Sequence, residues 1–136
     1  MNKSVGIALM ALTLGGCAGS SQPVTFNTLG DRPWQLYQVD GAAVARHGER
    51  LPEIAFSADG RVSGAMCNRF FGQGELVAGR LTVKQLGQTM MLCPEQQLNQ
   101  WDALIGDQLA KGMSVSRDGQ TLTLRGESHT LVYRQQ

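Results

Sequence analysis

Gly60-Arg61-Val62-Ser63-Gly64-Ala65-Met66-Cys67-Asn68-Arg69-Phe70-Phe71-Gly72, answered downstream by Thr89-Met90-Met91-Leu92-Cys93, decides how this chain reads. The first segment opens as the second half of a hairpin. Before it, Ile54 and Phe56 alternate within residues 52–57, and Ala58-Asp59-Gly60 carries turn chemistry before the alternation resumes at Arg61. Successive side chains on a strand point to opposite faces, so Val62, Gly64 and Met66 share one face and Cys67 takes the other. Gly64 and the change of texture at Asn68 leave room for a bulge, which keeps the direction of Cys67 open.

Downstream, Glu75-Leu76-Val77, a turn at Ala78-Gly79 and Arg80-Leu81-Thr82-Val83-Lys84 form a second hairpin with Leu81 and Val83 inward. Met90-Met91-Leu92-Cys93 reads as a strand that stops at Pro94. A residue before proline is kept from helical dihedrals, and proline suits the first helical position, so Cys93 falls at a strand-to-helix joint. A helix over about residues 94–110 follows, because Leu98, Trp101, Leu104, Ile105 and Leu109 recur at spacings of three and four. Gln96, Gln97, Asn99, Gln100 and Asp107 take its wet side, Glu95 in the first turn and Lys111 in the last complement the dipole, and Gly112 closes it. The rest alternates as strands around turns at Asp118-Gly119 and Gly126-Glu127-Ser128, with Leu122, Leu124, Leu131 and Tyr133 inward.

Upstream, Asn2-Lys3, an apolar run over residues 5–14 and Leu14-Gly15-Gly16-Cys17 look like a bacterial lipoprotein signal. The run is too short to span a bilayer, which takes about 20 residues. An ordinary secretory signal with an incidental cysteine is the competing reading. On the lipoprotein reading, residues 1–16 are removed and Cys17 is lipidated; several acyl chains anchor stably where one does not. Ala18, where an aspartate would favour the inner membrane, implies by analogy the outer membrane, with the domain facing the periplasm. Residues 17–30 are then the lipidated cysteine and a flexible tether, and residues 31–136 the domain. Alternatively, Val24 and Phe26 already form an edge strand. Pro33-Trp34-Gln35-Leu36-Tyr37-Gln38-Val39-Asp40 opens the domain as a strand. Residues 41–50 break the pattern, and the lone His47 among them reads as solvated rather than as a ligand.

The 136-residue chain carries a net charge of +1, and losing Lys3 leaves eleven basic against eleven acidic side chains, so no field favours nucleic acid. A domain of this size buries one core. Cys67 and Cys93 would lie in a compartment where disulfides persist. Bonding them closes a loop of about 26 residues, a stabilisation of about 3.5 kcal/mol in the chain-entropy model. Two free buried thiols are the alternative, because pairing depends on a Cα separation that spacing alone does not supply.

Nothing in the chain assembles a catalytic set. Ser128 and His129 are strand neighbours whose side chains point apart. Nucleophile-elbow, zinc-protease and phosphate-loop motifs are absent from the sequence. Gly72-Gln73-Gly74 reads as a turn, and Glu75, Glu95 and Asp102 carry no partner signature. The expectation is a non-enzymatic domain without a cofactor. Asn68, Arg69, Phe70 and Phe71 are the candidate recognition surface; the competing reading gives Asn68 a turn role, leaves Arg69 solvated and puts one phenylalanine in the core. Met66, Cys67, Met91 and Cys93 would suit Cu(I) only with reduced thiols. They read instead as gap-filling methionines around a disulfide, and no metal site is expected.

In order along the chain, Trp34-x-Leu36, Phe56-x-x-Asp59-Gly60-Arg61-Val62-x-Gly64, Cys67-Asn68-Arg69-Phe70-Phe71-Gly72, Leu81-Thr82 and Thr89-x-Met91-x-Cys93, with a helix from Glu95, resemble the META domain family. Within it, the likeness is to the heat-shock-induced bacterial lipoprotein branch, and it covers about residues 31–136. The family typically has glycine where Met66 stands, and commonly an aromatic residue near Gly74. The resemblance implies a small α+β domain, a strongly curved antiparallel sheet closing toward a small barrel with one helix packed on it. It also implies a role in envelope stress tolerance, including heat shock and novobiocin resistance, with no catalytic residues to carry over. Two functions follow as expectations: a monomeric, lipid-anchored module that binds an envelope protein, or a carrier or pilot-type lipoprotein with an apolar ligand or lipid in its barrel. A barrel filled by Trp34, Phe56, Leu81, Trp101 and Tyr133 would leave the second no room.

Overall fold

The alternation around Gly60 becomes an antiparallel hairpin in the expected register, with Phe56 opposite Val62 and Ile54 opposite Gly64. The computed structural model describes residues 24–30, 32–45 and 51–135. The signal at 1–16, lipidation at Cys17 and the reading of His47 lie outside the described residues. In chain order the elements are α1 (Phe26–Leu29), β1 (Trp34–Val39), β2 (Ala42–Ala43), β3 (Glu53–Phe56), β4 (Arg61–Ala65), β5 (Arg69–Gln73), β6 (Glu75–Val77) and β7 (Arg80–Thr82). They continue with β8 (Gly87–Gln88), α2 (Gln96–Lys111), β9 (Met113–Asp118), β10 (Thr121–Arg125) and β11 (Thr130–Arg134).

One antiparallel sheet takes the order β6-β7-β9-β10-β11-β1-β3-β4-β5-β8, with β2 beside β1. Gly74 alone separates β5 from β6, although eight strand steps lie between them in that order. Laid flat, those steps would span about 38 Å, and the chain across Gly74 reaches only about 7 Å. The sheet therefore curls into a half-barrel. Gly74 is buried at the corner, where a Cβ would stand 2.8 Å from Val62 and 3.2 Å from Leu81.

The opening left between β7 and β8 is filled by α2. Val83 N donates to Leu109 O at 2.9 Å on one side, and Gln88 Nε2 to Asp102 O at 3.0 Å on the other. Trp101, Ile105 and Leu109 enter the core, with Leu98 and Leu104 half-buried beside them. The helix begins at Gln96 with Glu95 as its N-cap, so Pro94 precedes it rather than opening it. It ends at Gly112, whose φ of 98° lets its N–H reach Gln108 O at 2.9 Å. Trp34, Phe56, Leu81, Trp101 and Tyr133 are all buried in a single cluster. The Tyr133 hydroxyl has no partner among the described residues, and burial pushes its ionisation well above the ordinary range.

Three expectations are corrected. Residues 24–30 are neither tether nor edge strand. Thr25 and Thr28 form a reciprocal cap on α1, Leu29 is fully buried, Val24 and Phe26 pack on the core, and Leu29 O accepts from Trp34 Nε1 at 3.0 Å. Three apolar side chains in six residues bury more than a polar tether would, so the folded unit starts before residue 31. Gly72 and Gln73 belong to β5 rather than to a turn. Residues 90–93 form no strand of the sheet; they run on from β8 along the surface.

Gly64 faces the core, where a Cβ would collide with the Glu53 carbonyl oxygen and stand 3.0 Å from Ile54 Cα. Backbone cannot yield as a flexible side chain does, so Gly64→Ala is expected to destabilise by about 1–3 kcal/mol, read as a lower denaturant midpoint. An unchanged midpoint would refute this packing. Asp40 adopts a φ of 51° after β1 and accepts from Thr130 N at 2.8 Å, with His129 Nδ1 at 2.7 Å. The bond with His129, then that with Thr130, holds its carboxyl below the ordinary 3.8. With the folded value depressed, its stabilisation is present above the unfolded value and lost as pH falls through the folded one. Asp40→Asn is thus expected to flatten the loss of stability below about pH 4, as measured by thermal melts across the acid range.

Candidate functional site

The loop between β4 and β5 lies at one end of the hairpin and α1 at the other, since Phe26 Cε2 stands 3.2 Å from a Cβ built on Gly60. The loop is tight, with Met66 N donating to Asn68 O at 3.1 Å, and Met66 is buried in the core. Here Cys67 is bonded to Cys93, with their Cα atoms 5.9 Å apart. The bond consumes both thiolates, and Met91 is largely exposed while Met66 is buried, so these four residues do not converge on a soft metal.

Asp102 of α2 reaches into this pole. Its Oδ1 accepts from Cys67 N at 3.0 Å and Asn68 N at 2.9 Å, and its Oδ2 accepts from Asn68 Nδ2 at 2.7 Å. Charge-assisted bonds of this kind are about twice as strong as neutral ones, and they lock the helix to the hairpin loop. Asn68 then passes the order on. Its Oδ1 accepts from Met91 N at 2.6 Å and Thr89 Oγ1 at 3.0 Å, and its Nδ2 donates to Met91 O at 2.8 Å. Two residues on, Asn99 repeats the device: its Oδ1 accepts from Cys93 N at 3.0 Å and its Nδ2 donates to Cys93 O at 2.9 Å. Thr89 N donates to Arg69 O at 3.0 Å. Residues 89–93 are thus fixed, while Met90, Met91 and Leu92 stand 97%, 68% and 88% exposed.

The four candidate recognition residues do not form one surface. Asn68 is buried as the hub just described, and Phe70 is in the core. Arg69 is exposed and Phe71 is 46% exposed, its ring against Gly87. Alternation along β5 turns neighbours to opposite faces, which separates them. Arg69 and Phe71 line an outer groove of about 670 Å³ with Glu53, Ala55, Ser63 and Ala65. His129 pairs with Asp40 rather than with Ser128. Asp102, expected without a partner, is central, and Asn99, expected on the wet side, is half-buried. The available signal was the place of Asp102 beside Trp101, at the flank of the apolar stripe, where a carboxylate needs donors.

Asp102→Ala leaves the Cys67 and Asn68 N–H groups and the Asn68 amide without their acceptor. It is expected to cost about 3–5 kcal/mol and to speed hydrogen exchange at residues 89–93 more than in the core. Uniform exchange with an unchanged melting temperature would contradict the network.

The META domain model matches residues 27–136. The heat shock protein HslJ of Escherichia coli (strain K12) is 36% identical over 135 residues, covering 98% of this chain and 96% of that protein. A structure solved by NMR, 39% identical, superposes with a TM-score of 0.75 over 82% of this chain and 94% of its own. An NMR structure of a protein from Burkholderia xenovorans, 23% identical, shares the fold at a TM-score of 0.65, covering 100% of this chain and 97% of its own. These two solved structures share the fold, and the chain belongs to the META domain family, alongside the heat shock protein HslJ.

Proposed function

We propose that this chain is a non-enzymatic, lipid-anchored envelope module that supports tolerance of heat and novobiocin by binding an envelope protein. It would be anchored through Cys17 in the inner leaflet of the outer membrane, as a monomer facing the periplasm. The lipoprotein-like Leu14-Gly15-Gly16-Cys17 and a disulfide suited to an oxidising compartment support the location, and the name of the heat shock relative supports the stress role.

The observation that carries partner binding is the fixed, apolar loop at residues 90–92. Large apolar side chains held in water gain roughly 25 cal/mol for each Å² covered. Because Asn68, Asn99 and the disulfide already order the loop, little further entropy is lost on binding. The carrier reading draws no such support, since Trp34, Phe56, Leu81, Trp101 and Tyr133 fill the space where a ligand would sit.

The test uses the full chain in its own envelope, with a photo-crosslinking residue in place of Leu92. A discrete crosslinked protein partner is expected, and Cys17→Ser should move the chain to the soluble fraction. The double variant Met90→Asp, Leu92→Asp should melt as the wild type does and yet lower survival under heat and novobiocin to that of a deletion strain. Full survival with no crosslink would overturn the reading.

A further inference from the structure

The backbone of the exposed loop is laid out as a sheet edge. In an extended chain, successive residues direct their N–H and C=O groups to opposite edges. Thr89 turns its N–H inward to Arg69 O, and Met91 and Cys93 turn both groups inward, to the Asn68 and Asn99 amides. Met90 and Leu92 therefore face outward, and among the described residues no hydrogen bond reaches their main chain. The segment continues β8, which ends the sheet order, so among the described residues no strand pairs beyond it. Two asparagine side chains thus do the work of an inner neighbouring strand and leave the outer edge open.

We infer that residues 90–92 are a strand-addition site, where an extended, uncharged segment of a partner protein with alternating apolar side chains pairs with the main chain of Met90 and Leu92. This rests on the partner-binding reading and specifies the form the partner takes. A second folded copy fits less well, because three side chains offer far less than the roughly 800 Å² per partner that a stable interface buries. An added strand draws affinity from main-chain bonds and specificity from its alternate side chains. The adjoining groove of about 550 Å³ favours a neutral segment: Asp102 is the ionisable group in its lining, and its oxygens are already bonded to Cys67 and Asn68. The site also lies at the end of the hairpin away from α1, so a chain tethered by its N-terminus presents it away from the tether.

A seven-residue peptide of alternating valine and threonine, added to the ¹⁵N-labelled mature chain with its disulfide intact, tests the inference. The amide signals of Met90 and Leu92 should shift, and their hydrogen exchange should slow about tenfold. The same peptide N-methylated on its pairing edge should do neither. Met90→Pro removes one outward N–H and none of the inward bonds, and should weaken the peptide about tenfold. Because the N-methylated peptide probes the unaltered chain, the inference stays testable even if that variant unfolds. No shift at 90–92 with millimolar peptide, or equal binding of the N-methylated form, overturns it. So does concentration-dependent exchange protection without peptide, which would make a second copy the occupant. A crosslink at Leu92 in the envelope without peptide binding would overturn strand addition alone and leave partner binding standing.

Discussion

Gly74 imposes the shape of this molecule. It joins β5 to β6, strands near opposite ends of the sheet order, and a one-residue link cannot span a flat sheet. The curl that results gathers Trp34, Phe56, Leu81 and Tyr133 into one buried cluster. It also leaves one opening between β7 and β8, which a single amphipathic helix of the length of α2 can fill. Glycine is needed at the corner because Val62 and Leu81 already occupy the space of a side chain.

Once α2 closes the opening, Asp102 has to satisfy its carboxylate inside the structure, since burial away from water without donors is costly. The nearest donors are those of the β4–β5 loop, Cys67 N, Asn68 N and Asn68 Nδ2. Helix closure and loop order are therefore one event. The rest of the Asn68 side chain then holds Met91, Asn99 holds Cys93, and the Cys67–Cys93 bond crosslinks the same two segments covalently. Polar groups and the disulfide spend themselves on order, and the apolar side chains of the 89–93 segment that face water are Met90, Met91 and Leu92.

Much of the fold was legible from local pattern. The hairpins around Gly60 and Ala78-Gly79, the final strands with Leu122, Leu124, Leu131 and Tyr133 inward, and the apolar stripe of α2 all follow from periods of two and 3.6. The candidate site was half legible. Asn68, Arg69, Phe70 and Phe71 stand together as a run, yet only Arg69 and Phe71 face outward. α1 leaves no periodic signal in the sequence, because it is four residues long.

The amino-acid sequence by itself determined the element types, the two faces of each strand and helix, and the residues available for a disulfide, because these depend on neighbours a few positions apart. Only the tertiary structure decided that Cys67 meets Cys93, that Asp102 finds Asn68 across 34 positions, and that the Thr89 to Cys93 stretch becomes a fixed surface edge rather than a paired strand. Those outcomes depend on distances set by the curl of the whole sheet and on which donors remain unpaired after it closes. The stretch from Gly60 to Gly72 carries both kinds of information, its alternation in the first half and its long-range bonds in the second.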